Sequence, residues 1–338
     1  MSRSDIQPAT RHLLRHQAGM SLVELMVSLA VGLILLAGIT TLIGRQSSAR
    51  EELEKASREI ENGRYATQLL REDIQHAGFY GEYSPVSGVA ATTVPADPCN
   101  LAVGSANSGW DTTTTPVTVP APIYGYAAQA SVPTTATTCG LTNYKSNTAI
   151  LVVRRTGTAP IAAASAVAGT TYLQVSQCDP TIPFALGTSG FTLQLKDCTN
   201  LAPVHAYIVR VYYVSSCDVC GSDTIPTLKV VESTNGAKTI IPLVEGIDNM
   251  QFDYGIDNDG DGAPDTYTTT PAATDWQNVM AIRINLLARN NDLTTSYQDN
   301  KTYSLGGAGT VGPFNDNYKR HAYSELVRVI NPSARREK

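Results

Sequence analysis

The chain has 338 residues and a formal net charge of -5, enough for one or two domains on length alone. Its first nineteen residues hold Arg3, Arg11, Arg15 and Asp5, so the remainder is two charges more negative and has no electrostatic reason to bind nucleic acid. There is no Gly-rich phosphate loop and no Gly-x-Ser-x-Gly elbow, and past residue 19 only His76, His205 and His321 occur, each isolated in sequence; the expectation is a protein that is not an enzyme.

In chain order, the first informative stretch is Gly19-Met20-Ser21-Leu22-Val23-Glu24-Leu25, which opens a run free of charge from Leu25 to Gly44. Twenty helical residues rise about 30 Å, the thickness of a bilayer's hydrocarbon core. A lone carboxylate at the edge of such a run costs about 2.5–3.5 kcal/mol near the bilayer centre and needs a cationic partner. Cleavage between Gly19 and Met20 would create one, because the new α-amine begins the mature helix and Glu24 becomes its fifth residue. An ammonium and a carboxylate meeting in an apolar seam neutralise each other. A secretory signal peptide is the rival reading, but no short apolar region followed by a small-residue cleavage site fits.

This pattern of Gly, an apolar residue, Glu five places after the cut and an uninterrupted apolar helix resembles the class III signal of type IV prepilins and pseudopilins. The resemblance implies a prepilin peptidase that cuts after Gly19 and N-methylates Met20, although Met stands where the family usually has Phe. It divides the chain into a leader (1–19), a hydrophobic transmembrane and assembly helix (20–44), an amphipathic helix (45–80) and a β-rich head (81–338).

Beyond Gly44 the polar sequence keeps a helical beat. Ala49, Leu53, Ala56, Ile60, Gly63, Thr67, Leu70, Ile74 and Ala77 recur at spacings of four and three, one narrow apolar stripe. Joined to the anchor, residues 20–77 make a helix of about 87 Å. Its first half is expected to pack on other subunits or lie in lipid, and its second half to lay the stripe on its own sheet. Gly32 and Gly38 mark places where the apolar half can bend or pack closely.

Residues 84–147 are poor in charge and rich in Thr, Pro and Gly, and read as loops with short strands around Cys99 and Cys139: surface decoration or a partner-facing loop. Strand patterns follow at 149–154, 171–175, 191–195, 206–214, 227–231, 250–254, 279–287 and 325–330. Strands joined without helical segments predict an antiparallel sheet. The expected fold is α+β and type IV pilin-like, a long N-terminal helix on an antiparallel head, with a second small sheet.

The six cysteines, Cys99, Cys139, Cys178, Cys198, Cys217 and Cys220, all follow the anchor, an even number suited to an oxidising compartment. Neighbour pairing closes the shortest loops, though 15 connectivities exist. Zinc is the rival for Cys217-Asp-Val-Cys220, but one such pair is half a site. Arg and Lys flank the apolar run on both sides and do not orient it; the cysteines and the signal both place the head outside the cytoplasm.

One stretch has coordination logic. Asp257, Asp259 and Asp261 with Gly262 and Asp265 follow the first part of a calcium loop, where hard oxygens surround the ion and Gly allows the turn. Position 12 is Thr268 rather than a bidentate Glu, so the expectation lies between a weak calcium site and a solvated acidic turn.

Tyr212-Tyr213-Val214 followed by the paired cysteines, Ile225-Pro226-Thr227-Leu228, Val244-Glu245-Gly246-Ile247 leading to Phe252, and the run from Val279 to Arg289 resemble the PilW family of minor pilins. The resemblance implies a structural subunit of the type IV pilus that primes assembly at the tip, with motility, adhesion and DNA uptake as properties of the fibre. It implies as partners other minor pilins, the major pilin, the prepilin peptidase, the inner-membrane assembly platform and inner-membrane lipid. The expected location is the inner membrane, single-pass with a periplasmic head, and then the surface pilus; no cofactor is required, with calcium the one candidate. The alternatives are a minor pseudopilin of type II secretion and a membrane-anchored adhesin or enzyme that never polymerises.

Overall fold

A computed structural model describes residues 19, 21–85, 90–99, 101, 108–234 and 237–337. Helix α1 (Leu22–His76) is continuous, and Gly32 and Gly38 lie within it without a break. The chain divides into two compact units, Met1–Leu53 and Glu54–Lys338. In the first, the large apolar side chains from Leu22 to Ile43 are exposed, as an apolar run lacking a core of its own must be.

Among the described residues, the second unit holds the rest of α1 and fifteen strands. These are β1 (Ala90–Thr93), β2 (Val117–Pro120), β3 (Ile123–Gln129), β4 (Thr148–Thr156), β5 (Tyr172–Val175), β6 (Phe184–Gly187), β7 (Val204–Ser215), β8 (Thr227–Thr234), β9 (Ala237–Glu245), β10 (Ile247–Ile256), β11 (Thr266–Thr268), β12 (Val279–Arg289), β13 (Tyr303–Ser304), β14 (Thr310–Val311) and β15 (Arg320–Arg328), followed by the short α2 (Ile330–Ala334). A seven-stranded sheet runs β3-β4-β7-β5-β6, with β8 and β9 added beside β7, and a four-stranded sheet runs β11-β10-β12-β15. Their pairings are antiparallel, while the small β1–β2 pair is parallel.

Alternation along β4 divides two cores. Ala149, Leu151 and Val153 enter the first, shared with Leu70 and Ile74 of α1 and with Met250, Phe252 and Ile284 of the four-stranded sheet. Ile150 and Val152 enter the second, closed by Tyr80, Leu101, Trp110, Ala136 and Leu141. Described residues of segment 84–147, expected as surface decoration or a partner-facing loop, therefore supply strand β3 of the seven-stranded sheet and cover part of one of its faces.

Three other expectations need correction. The helical stripe holds from Gly63 through Ala77, but Leu53 is 70% and Ile60 48% exposed while Glu59 is buried. The beat in sequence runs one residue out of phase with the packed face at that point. Residues 191–195 are not a strand; β6 takes that place beside β5. The Gln174 amide accepts from Leu193 N–H at 2.9 Å and donates to Leu193 O at 3.1 Å, holding this apolar segment as a side-chain-tied loop. The last strand is Arg320–Arg328, and Ile330 begins α2.

Candidate functional site

At the N-terminus, Met20 lies outside the described residues. Ser21 precedes the first helical residue, and its hydroxyl accepts the Glu24 N–H at 3.2 Å while the Glu24 carboxylate accepts the Ser21 N–H at 3.4 Å. This reciprocal cap satisfies two of the donors that a helix start leaves unpaired. It was legible as Ser-x-x-Glu, so Glu24 has an intramolecular partner besides the incoming α-amine expected of it. The carboxylate also sits at the positive end of the helix dipole.

The far end of α1 is tied into the head by charge. Asp73, 4% exposed, accepts from Arg155 Nε at 2.7 Å, Arg210 Nη1 at 3.2 Å and Tyr212 Oη at 2.9 Å, and Arg210 also meets Glu232. The last turn of α1 is capped from the C-terminus: Asn331 donates to the carbonyls of His76 and Ala77, and Arg335 to that of Gly78. On the four-stranded sheet Arg320 is ringed by Asp248, Asp299 and Asp316, and Lys145 also reaches Asp248. Apart from Arg320 and Asp316, four residues from each other, these partners lie tens to hundreds of residues apart, so no local spacing announces them.

The acidic loop joins β10 to β11. Carboxylate oxygens of Asp257, Asp259 and Asp265 lie within 4.8 Å of one another; Asp261, expected as a fourth ligand, is not among them and instead accepts the Ala263 N–H at 2.7 Å. Asp257 is buried and accepts from Gly260 N–H at 2.6 Å, Gly262 N–H at 3.1 Å and Arg336 Nη1 at 3.1 Å. Burial raises its pKa, but the two N–H groups and the guanidinium prevail and hold it below the usual carboxylate value. Gly260 and Gly262 have φ of 81° and 89°, which only glycine adopts without strain. Arg336 is held by Gln277 O and Asn278 Oδ1, so the loop carries an internal cation. The donor set fits calcium in its three convergent oxygens, and an ion would share Asp257 with Arg336.

Each cysteine is joined to its neighbour: Cys99 with Cys139, Cys178 with Cys198 and Cys217 with Cys220. The last pairing replaces the zinc alternative. His205 is buried and its Nδ1 lies 2.8 Å from Gly157 O, His76 meets the Glu72 carbonyl, and His321 packs on Tyr323.

Residues 211–331 match the family described as type IV pilus-assembly protein W, and residues 14–40 match the prokaryotic N-terminal methylation motif. Over that stretch the chain is similar to the PilW family, and its N-terminus carries a prepilin-type methylation signal. The family match runs from the end of β7 into α2 and takes in the four-stranded sheet, the acidic loop and the Arg320 cluster. Of the disulfides it contains only Cys217–Cys220. Neither a curated protein nor a solved structure gives a significant match to the chain. The N-terminal helix is long and apolar enough to cross a membrane, and both matches point to type IV pilus assembly.

Proposed function

We propose that this PilW-family chain is a minor pilin, a structural and non-enzymatic subunit that works with other minor pilins, the major pilin and the inner-membrane assembly platform to prime the fibre. The carrying observation is the exposed apolar surface from Leu22 to Ile43 behind a single carboxylate, Glu24. Lipid covers that surface before assembly and neighbouring helices cover it afterwards, and the Glu24 carboxylate leaves its Ser21 cap to meet an incoming α-amine. Three disulfides support a head matured in the periplasm and displayed on the surface pilus. Motility, adhesion and DNA uptake then belong to the fibre.

The test is mass spectrometry of the mature N-terminus together with blots of sheared fibres. Wild type should begin at a methylated Met20, and Gly19→Leu should stay uncut. Glu24→Ala should be cut normally yet be depleted at least tenfold from fibres. Processed Gly19→Leu, or wild-type incorporation of Glu24→Ala, contradicts the reading, and incorporation only into a secretion pseudopilus would favour the type II alternative.

A further inference from the structure

The second core contains a charge without a partner. Arg154 lies on the same face of β4 as Ile150 and Val152 and is 1% exposed. Its Nη1 donates to Ala121 O at 3.1 Å, its Nη2 has no hydrogen-bond partner, and no carboxylate lies within ion-pair distance of it among the described residues. The neighbouring Arg155 points to the opposite face and takes Asp73. A buried guanidinium normally brings an acid with it, because an uncompensated interior charge is among the most costly groups a fold can hold.

The groups around it are short of an acceptor. In the β4–β7 register Thr156 faces Tyr207 and Arg154 faces Val209, so Arg154 and Tyr207 are diagonal neighbours on one face. Trp110 stands edge-on to Tyr207 with ring centroids 5.8 Å apart, and edge-on to Tyr80 at 4.9 Å. Trp110 Nε1, Tyr207 Oη and Tyr83 Oη are, like Arg154 Nη2, buried without a full hydrogen bond, Trp110 facing the Tyr207 hydroxyl. Indole and guanidinium nitrogens can only donate, and buried donors are rarely left unmet. A second guanidinium, Arg335, donates to Gly78 O and has no carboxylate partner among the described residues; both cations act on Tyr80. A groove of about 340 Å³ lined by Tyr80, Val119, Pro120, Ile123, Trp276 and Arg335 runs past Tyr80 at the edge of this cluster.

We infer that this aromatic cluster binds a small monovalent anion of the halide class, held by Arg154 Nη2 with Trp110 Nε1 and the Tyr207 hydroxyl. One excess positive charge calls for one negative charge, and a halide accepts several N–H and O–H donors in any direction while tolerating ring edges. A water molecule would accept two of these bonds and leave the charge standing. The anion is a structural ligand that fixes β4, β7 and the segment carrying Trp110 to one another.

The experiment uses the full chain in detergent. Thermal melts are compared in sodium chloride, sodium bromide and sodium gluconate, each at about 0.15 M so that screening is equal, and crystals grown in bromide are examined at the bromine absorption edge. Wild type should melt about 2–4 °C higher in either halide than in gluconate, with an anomalous peak beside the Arg154 guanidinium. Arg154→Met should lose the halide dependence. Should that variant fail to fold, Tyr207→Phe, which deletes one hydroxyl, should at least halve the halide shift. Equal melts of wild type in all three salts, or only water at that position, overturns the inference.

Discussion

Glu59 and Asp257 are both buried carboxylates, and their surroundings drive them in opposite directions. Burial pushes Glu59 from its ordinary 4.5 up to about 7, against the pull of Lys319, Arg320 and Lys301. A carboxyl whose pKa rises on folding favours the folded state while protonated. Its contribution is fully present below about pH 4.5 and is lost as pH rises through about 7. Above that, a charged Glu59 opposes folding by on the order of 3 kcal/mol. Glu59→Gln should therefore raise the melting temperature at pH 8 and leave it unchanged at pH 4.5; a gap independent of pH would show that the carboxyl is not desolvated. Asp257 instead stays ionised against Arg336. We propose that calcium competes with this guanidinium for the loop, with an affinity of about 10⁻⁴ to 10⁻³ M. Arg336→Ala should then show a larger calcium-induced rise in melting temperature than wild type, and Asp259→Ala with Asp265→Ala should abolish it. Insensitivity of both wild type and Arg336→Ala to calcium against magnesium and chelator would leave the loop a turn neutralised by arginine alone.

Among the elements, α1 shows where periodicity succeeds and where it stops. The stripe from Gly63 to Ala77 follows from 3.6 residues per turn, since those positions share one face. Gly63 is there for a reason no periodicity states: a Cβ would lie 2.2 Å from Tyr323 Cε2 of β15. Gly63→Ala should lower stability by about 1–3 kcal/mol through overpacking, although alanine is the better helix former by about 1 kcal/mol. In a Tyr323→Ala background the sign should reverse, and denaturant melts of the four-variant cycle would show it. An additive result would mean that the ring moves aside freely. Strands β4, β7, β8, β10 and β12 were legible because dense β-branched and aromatic runs suit buried strands. β9 was missed: it carries Pro242 and pairs only with β8, the edge position where proline is tolerated. Residues 191–195 have the composition of a strand, yet their backbone is met by the Gln174 side chain at Leu193 and by Gln177 and the turn at 198–202 instead of a neighbouring strand.

For the molecule as a whole, the disulfides divide by what they enclose. Cys99–Cys139 spans 40 residues of sequence, Cys178–Cys198 spans 20 and Cys217–Cys220 only 3. The first is buried in the second core and ties together the segment that covers it. Replacing each pair by serine should lower the melting temperature in that order, with about 2–5 kcal/mol lost for the first, and equal losses would argue against loop closure as the cause. The sequence alone determined the long apolar helix, the N-terminal methylation signal, the α+β class and most of the long strands, because each is written in the spacing of residues near one another along the chain. Tertiary structure alone decided that 84–147 forms one wall of a core, that Glu59 rather than Ile60 is buried, that Arg336 occupies the acidic loop and that Arg154 stands without an acid. Those outcomes depend on which distant side chains share a small volume, and burial and Coulomb energies act through space regardless of separation in sequence.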